Sequence, residues 1–254
     1  MMGYNAVAPI GILLFCSLTL ISGLAAGVGP ISIFRRRSKN KRNGGGFSWE
    51  ASLNNELGTG SSIEKSSIHL EKLEAKSFDT LIPELNELAY DLVEGYPKWL
   101  TSFGVTLGLL TLVRENDGNT NDIHLNLIGL NLLTFGRVEQ KESNSKLYTI
   151  ELPVKGGLLS LPPIQTDGDD RGCLRFEYSL DSSPSEGDGS VKYSFQSLIQ
   201  GNYRPWIAGY PKISRLRKWM YLLSQSMVHA YVMFRFHRLW RRSVCDYLRN
   251  QQPV

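Results

Sequence analysis

The sequence predicts an α+β domain, an antiparallel sheet packed on one long C-terminal helix, carried behind an N-terminal transmembrane helix. Three observations predict it. Residues 1–34 contain no Asp, Glu, Lys or Arg and are followed by a basic run. Between Ile123 and Ile199, short stretches alternate apolar and polar residues and are separated by turn-forming residues. From about Ile213 to Leu248 apolar residues recur at helical spacing.

The N-terminal segment is centred on the apolar run from Ile10 to Ile21. About 20 such residues in a helix cross a hydrocarbon core of about 30 Å. The cluster Arg35-Arg36-Arg37-Ser38-Lys39-Asn40-Lys41-Arg42 stands directly behind it. Dragging such charges through hydrocarbon is costly, so they stay on the cytoplasmic side, which predicts a single-pass membrane protein with a cytoplasmic C-terminal domain. The alternative is a cleaved signal peptide, with small residues at Gly23-Leu24-Ala25-Ala26-Gly27 for a peptidase, leading to the secretory pathway or a secondary plastid. Against it stand the lack of an early positive charge and an apolar run longer than a usual signal core.

Residues 35–62 form a basic, Gly/Ser-rich linker with a Gly44-Gly45-Gly46 run, interrupted by Phe47 and Trp49. The α+β domain follows over 63–249, with 250–254 as a tail. Its roughly 185 residues suffice for one sizeable core. Ile68, Leu70 and Leu73 suggest a short half-buried strand, with helix as the alternative. Leu81, Leu85, Leu88 and Leu92 share one face of a helix that begins near Ser77 and ends at Gly95-Tyr96-Pro97. The apolar run from Lys98 to Val113 is a buried helix, or a helix running into a strand. Strands are expected around 123–127, 132–138, 147–152, 173–180 and 191–199, with a polar turn at Glu142–Lys146. Hairpin-length connections make the sheet antiparallel. In the last helix Met227, Val228, Tyr231, Val232, Met233, Phe234 and Phe236 cover much of the circumference, which predicts a packed wall of the domain.

This element order resembles the helix-grip fold of START-like and polyketide-cyclase-like proteins, over roughly residues 66–245. The resemblance implies a curved sheet wrapped on the last helix and an apolar cavity between them for lipids, polyketides or other hydrophobic ligands. No catalytic residue of that family carries over to a position here.

Composition narrows the function classes. The formal charge of +4 resides largely in residues 35–42 and the last helix, which argues against a nucleic-acid-binding surface. Cys16, Cys173 and Cys245 are isolated, so neither a disulfide framework nor a zinc site is implied, and no cofactor is expected. Arg175 and Glu177 flank Phe176 as outward charges on a half-solvated strand. His229 and His237 stand about 80° apart around a helix at about 100° per residue, which argues against a shared metal. His69 and His124 have no acidic or Cys neighbours at ligand spacing. Gly156-Gly157 marks a bend in the sheet, since no Lys-Ser/Thr follows it.

The most unusual local piece is Asn202-Tyr203-Arg204-Pro205-Trp206 at the strand-to-helix junction. Tyr203, Arg204 and Trp206 line a pocket mouth in one reading, Arg204 meeting an anionic head group; in the other the aromatics plug the end of the core. Met227, Tyr231 and Phe234 supply the pocket's apolar wall from the last helix. Two functions follow: a membrane-tethered domain binding a hydrophobic ligand, such as a lipid, with the bilayer as its other partner; or a non-catalytic, membrane-anchored assembly protein with a filled core. An enzyme of cyclase or hydratase type ranks behind both.

Overall fold

A computed structural model describes residues 47–54, 59–70, 78–102, 109–114, 120–125, 129–144, 147–157, 159–160, 172–181, 191–201, 203–205, 221 and 225–251. The expected N-terminal membrane segment lies outside these residues. Among the described residues no helix is long and apolar enough to cross a membrane.

The strands are β1 (Ser48–Leu53), β2 (Gly60–Leu70), β3 (Leu110–Arg114), β4 (Asn121–Leu125), β5 (Leu130–Phe135), β6 (Glu139–Ser143), β7 (Leu147–Gly156), β8 (Cys173–Asp181) and β9 (Val191–Gln200). The helices are α1 (Phe78–Glu94), α2 (Tyr96–Leu100) and α3 (Gln225–Asn250). The sheet runs β1-β2-β9-β8-β7-β5-β4-β3, every pairing antiparallel, with β6 also on β7. One half of β7 pairs β6 at Tyr148–Glu151, and the other pairs β5 at Val154 and Gly156. Between β5 and β6 the Gly136 amide donates to the Pro153 carbonyl at 2.8 Å, so the two short strands follow β7 around a bend. A second close approach fixes that bend. Gly157 has φ of 111°, and a Cβ there would lie 2.5 Å from the Leu132 carbonyl oxygen, so only glycine fits.

The α+β architecture, an antiparallel sheet with a C-terminal helix, is as the sequence predicts. On β8 Leu174, Phe176 and Tyr178 face inward while Arg175 and Glu177 face outward, Arg175 Nη2 standing 2.6 Å from Glu151. α3 lies on the inner face, with Met233, Phe236, His237, Trp240 and Val244 buried. Phe236 packs among Tyr96, Phe176 and Phe195, and Trp240 rests on Tyr178, Tyr193 and Phe195. Among the described residues the one exposed large apolar side chain is Val113, so α3 is a wall and not a detachable surface helix.

Several boundaries differ from expectation. The stretch expected to be a linker contains β1 and the start of β2, paired from Ser48↔Lys65 to Leu53↔Gly60. Phe47 packs edge-on against Phe234 and His237. β2 ends at Leu70, and its inward residues include Ser62, Glu64 and Ser66, polar groups that hide a strand from a search for apolar alternation. The apolar run 98–113 is a helix running into a strand: α2 ends at Leu100 and β3 begins at Leu110. The polar turn expected at Glu142–Lys146 is partly strand, because β6 is a solvated edge whose pairing to β7 does not depend on apolar residues. Of the last helix, residues 213–220 and 222–224 lie outside the described residues.

Candidate functional site

Antiparallel pairing sets Glu64 of β2 directly opposite Ser197 of β9, and Ser66 opposite Phe195. Both strands present these positions to α3, whose own inward row includes His229, Met233 and His237. A buried polar chain results. The Ser197 hydroxyl donates to Glu64 Oε2 at 2.9 Å. Its single hydrogen is thereby used, so at 3.0 Å His237 Nε2–H donates to Ser197 Oγ. His237 Nδ1 is then the acceptor for the Ser66 hydroxyl at 2.6 Å. Burial, with a smaller contribution from His229, pushes the His237 pKa down to about 3, in keeping with one ring N–H. The ring also stacks on Phe195 at 4.1 Å.

Glu64 is fully buried, and its other oxygen, Oε1, lies 3.4 Å from His229 Nε2 without forming a hydrogen bond. Here the polar chain meets a cavity of about 90 Å³ between α3, α2, the start of β2 and the β3–β5 end of the sheet. Leu100, Leu110, Ile123, Leu132, Leu133 and Val232 provide apolar lining. Its polar lining comes from Ser62, Gln225, Ser226 and His229, with Tyr203 and Tyr221 beside them. Burial raises the pKa of Tyr203, with Tyr221 adding to the shift, and pushes that of Tyr221 up to about 12, with Glu64 adding to it; both phenols are neutral near pH 7.

The polar lining is incompletely satisfied. Ser62 Oγ, Gln225 Oε1, Ser226 Oγ, His229 Nε2 and Glu64 Oε1 are all buried without a hydrogen-bond partner. Gln225 cannot remedy this by flipping its amide, because Nε2 donates to the Leu159 carbonyl at 2.8 Å and to the Tyr203 hydroxyl. Each such group costs about 1–3 kcal/mol when left unpaired. Four of these atoms belong to residues that line the cavity, with Glu64 Oε1 set back against His229, and the four form a cluster to which a polar ligand group can bind.

Of the sequence-predicted site residues, Tyr203 lines this cavity. Arg204 is buried beside it but is not among the lining residues. Trp206 lies outside the described residues. Met227 and Phe234 are half-buried on α3, Phe234 against Phe47 and 5.9 Å from the Arg238 guanidinium. Tyr231 is buried, and its hydroxyl accepts from Arg235 at 3.1 Å. The structure thus brings together a set that sequence reasoning missed: Ser62, Glu64, Ser197, Gln225, His229 and His237. One signal was available. Extending the alternation of Ile68 and Leu70 backwards places Ser66, Glu64 and Ser62 on the inner face.

Neither a protein family nor a curated protein matches the chain. Among solved structures it is similar to the crystal structure of CalU16 from Micromonospora echinospora, at 8% identity and a TM-score of 0.23, covering 78% of this chain and 92% of that one. An uncharacterized protein from Bacillus thuringiensis matches at 10% identity and a TM-score of 0.24, covering 67% of this chain and 98% of its own. At such scores the architecture rests on the strand order and helix packing of this chain itself.

Proposed function

We propose that this chain is a membrane-tethered domain that binds a small hydrophobic ligand between its sheet and its C-terminal helix, as the resemblance to START-like proteins suggested. One observation carries the reading: a cavity with apolar walls converges on a buried cluster of unpaired polar atoms. Apolar walls supply affinity by removing ligand surface from water, and a few convergent polar groups supply orientation. The tether is the uncharged segment 1–34 with its basic stop.

The second reading, an assembly protein with a filled core, draws on the size of the cavity. At about 90 Å³ it is smaller than the roughly 300–1,000 Å³ of pockets that enclose drug-sized ligands. A cavity-filling variant separates the two. Full-length protein purified in lipid nanodiscs and extracted with organic solvent should yield an apolar molecule in stoichiometric amount. Val232→Phe should lose that molecule while retaining the same bilayer lipid. Identical extracts from both proteins would leave the filled-core reading standing.

A further inference from the structure

The outward side of α3 carries a charge pattern that the packing of the domain does not use. At about 100° per residue, the buried row of Met233, Phe236, His237, Trp240 and Val244 occupies one side of the helix. Arg235, Arg238, Arg242 and Arg249 fall within a sector of about 60° on the opposite side, along about 21 Å of axis. Arg238, Arg242 and Arg249 are exposed, and Arg235 is half-buried with its guanidinium donating to the Tyr231 hydroxyl. The acidic residue of α3 is Asp246, 3.5 Å from Arg249 in an exposed contact, so the stripe keeps a net positive charge. Arg238 and Arg242 stand four residues apart, a like-charge spacing that weakens a helix unless an anionic partner offsets it.

The path of the chain brings this stripe to a second basic segment. Phe47 packs edge-on against Phe234, whose ring lies 5.9 Å from the Arg238 guanidinium. Five residues before Phe47 ends the run Arg35–Arg42, which itself follows the uncharged residues 1–34. We propose that the outward stripe of α3 docks on a net-anionic lipid leaflet, with Arg238, Arg242 and Arg249 meeting lipid phosphates and carboxylates. A guanidinium suits both groups, because its planar fork donates two parallel hydrogen bonds to either and is weakly hydrated. A leaflet is favoured over nucleic acid because the basic run next to the stripe is joined to an apolar segment long enough to enter a bilayer. The docking rests on the tethered reading above and gives the domain a face to lay on the bilayer.

Cys245 is exposed between Arg242 and Arg249 and serves as the reporter. Full-length protein carrying Cys16→Ser and Cys173→Ser is labelled there with a fluorophore. It is reconstituted into vesicles of phosphatidylcholine, or of an equal mixture with phosphatidylserine, each containing a head-group nitroxide. Quenching should be about twofold greater with phosphatidylserine, and the excess should vanish at about 1 M salt, where the screening length falls to about 3 Å. The triple variant Arg238→Gln, Arg242→Gln, Arg249→Gln should lose the excess while melting with the unsubstituted chain. Equal quenching on the two vesicles, or an excess that survives in the triple variant, would overturn the docking. A DNA duplex that removes the excess at equal phosphate concentration would assign the stripe to nucleic acid instead. The tether is read separately, by flotation with phosphatidylcholine vesicles at the same high salt. Protein that fails to float overturns the tether, whereas protein that floats without the excess overturns the docking alone. The comparison of lipids on the unsubstituted stripe decides the matter even where the triple variant fails to fold.

Discussion

A histidine with a single ring N–H, buried between two serines, is sensitive to acid in a way that an exposed one is not. His237 accepts from Ser66 and donates to Ser197, stacks on Phe195 and meets the edge of Phe47, with His229 as its nearby titratable neighbour on α3. A second ring proton would leave Nδ1 a donor facing a hydroxyl that now donates to it. The folded pKa of about 3 lies below the ordinary value of about 6.5, so the unfolded chain takes up a proton first as pH falls. The stability held by neutral His237 is therefore complete above about pH 6.5 and is lost progressively from there down to about pH 3. From pH 7 to pH 5 the loss amounts to about 2 kcal/mol. Urea unfolding at both pH values should show it in the native protein and show a much smaller loss in His237→Gln. An equal loss in the variant would assign the acid sensitivity elsewhere.

Elements whose inner face is apolar are legible in this sequence, and those whose inner face is polar are not. β8 alternates Leu174, Phe176 and Tyr178 with charged or small residues, and α1 repeats Leu81, Leu85 and Leu88 on one side, so both stand where their patterns place them. β2 inverts the rule over its first half, turning Ser62, Glu64 and Ser66 inward, so its first three residues read as linker and no inward apolar residue marks the strand before Ile68. β1 alternates Trp49, Ala51 and Leu53 with exposed Ser48, Glu50 and Ser52, but only Leu53 is buried and the run is six residues long beside a glycine-rich stretch, so it is easily passed over. The missed strand segment is the one that builds the polar end of the cavity, because the chemistry of a site replaces the apolar pattern that would announce a strand. A single substitution separates a linker from a strand here. Leu53→Ala should cost about 2–5 kcal/mol, as for other buried leucines, whereas a leucine in a solvated tether costs almost nothing. Thermal unfolding of the full chain provides the measurement, and an unchanged melting temperature would detach β1 from the folded unit.

At the scale of the whole molecule, the early start of the sheet shortens the path from the proposed membrane anchor to the domain. Only residues 43–46 separate Arg42 from Phe47, and five Cα-to-Cα steps span at most about 18 Å. Phe47 is seated on Phe234 of α3, with the Arg238 guanidinium over the same ring. A chain entering there from a bilayer holds the basic side of α3 beside the head groups, where Arg238 and the exposed Arg242 keep their charges in water. This arrangement depends on the domain lying on the side that retains Arg35–Arg42, the cytoplasmic side. With a C-terminal tag, protease added to sealed microsomal vesicles should digest the domain without detergent. A domain protected until detergent is added, or a mature chain beginning near Gly27, would place the domain across the membrane or free of it. The short span would then have no bilayer to hold α3 against.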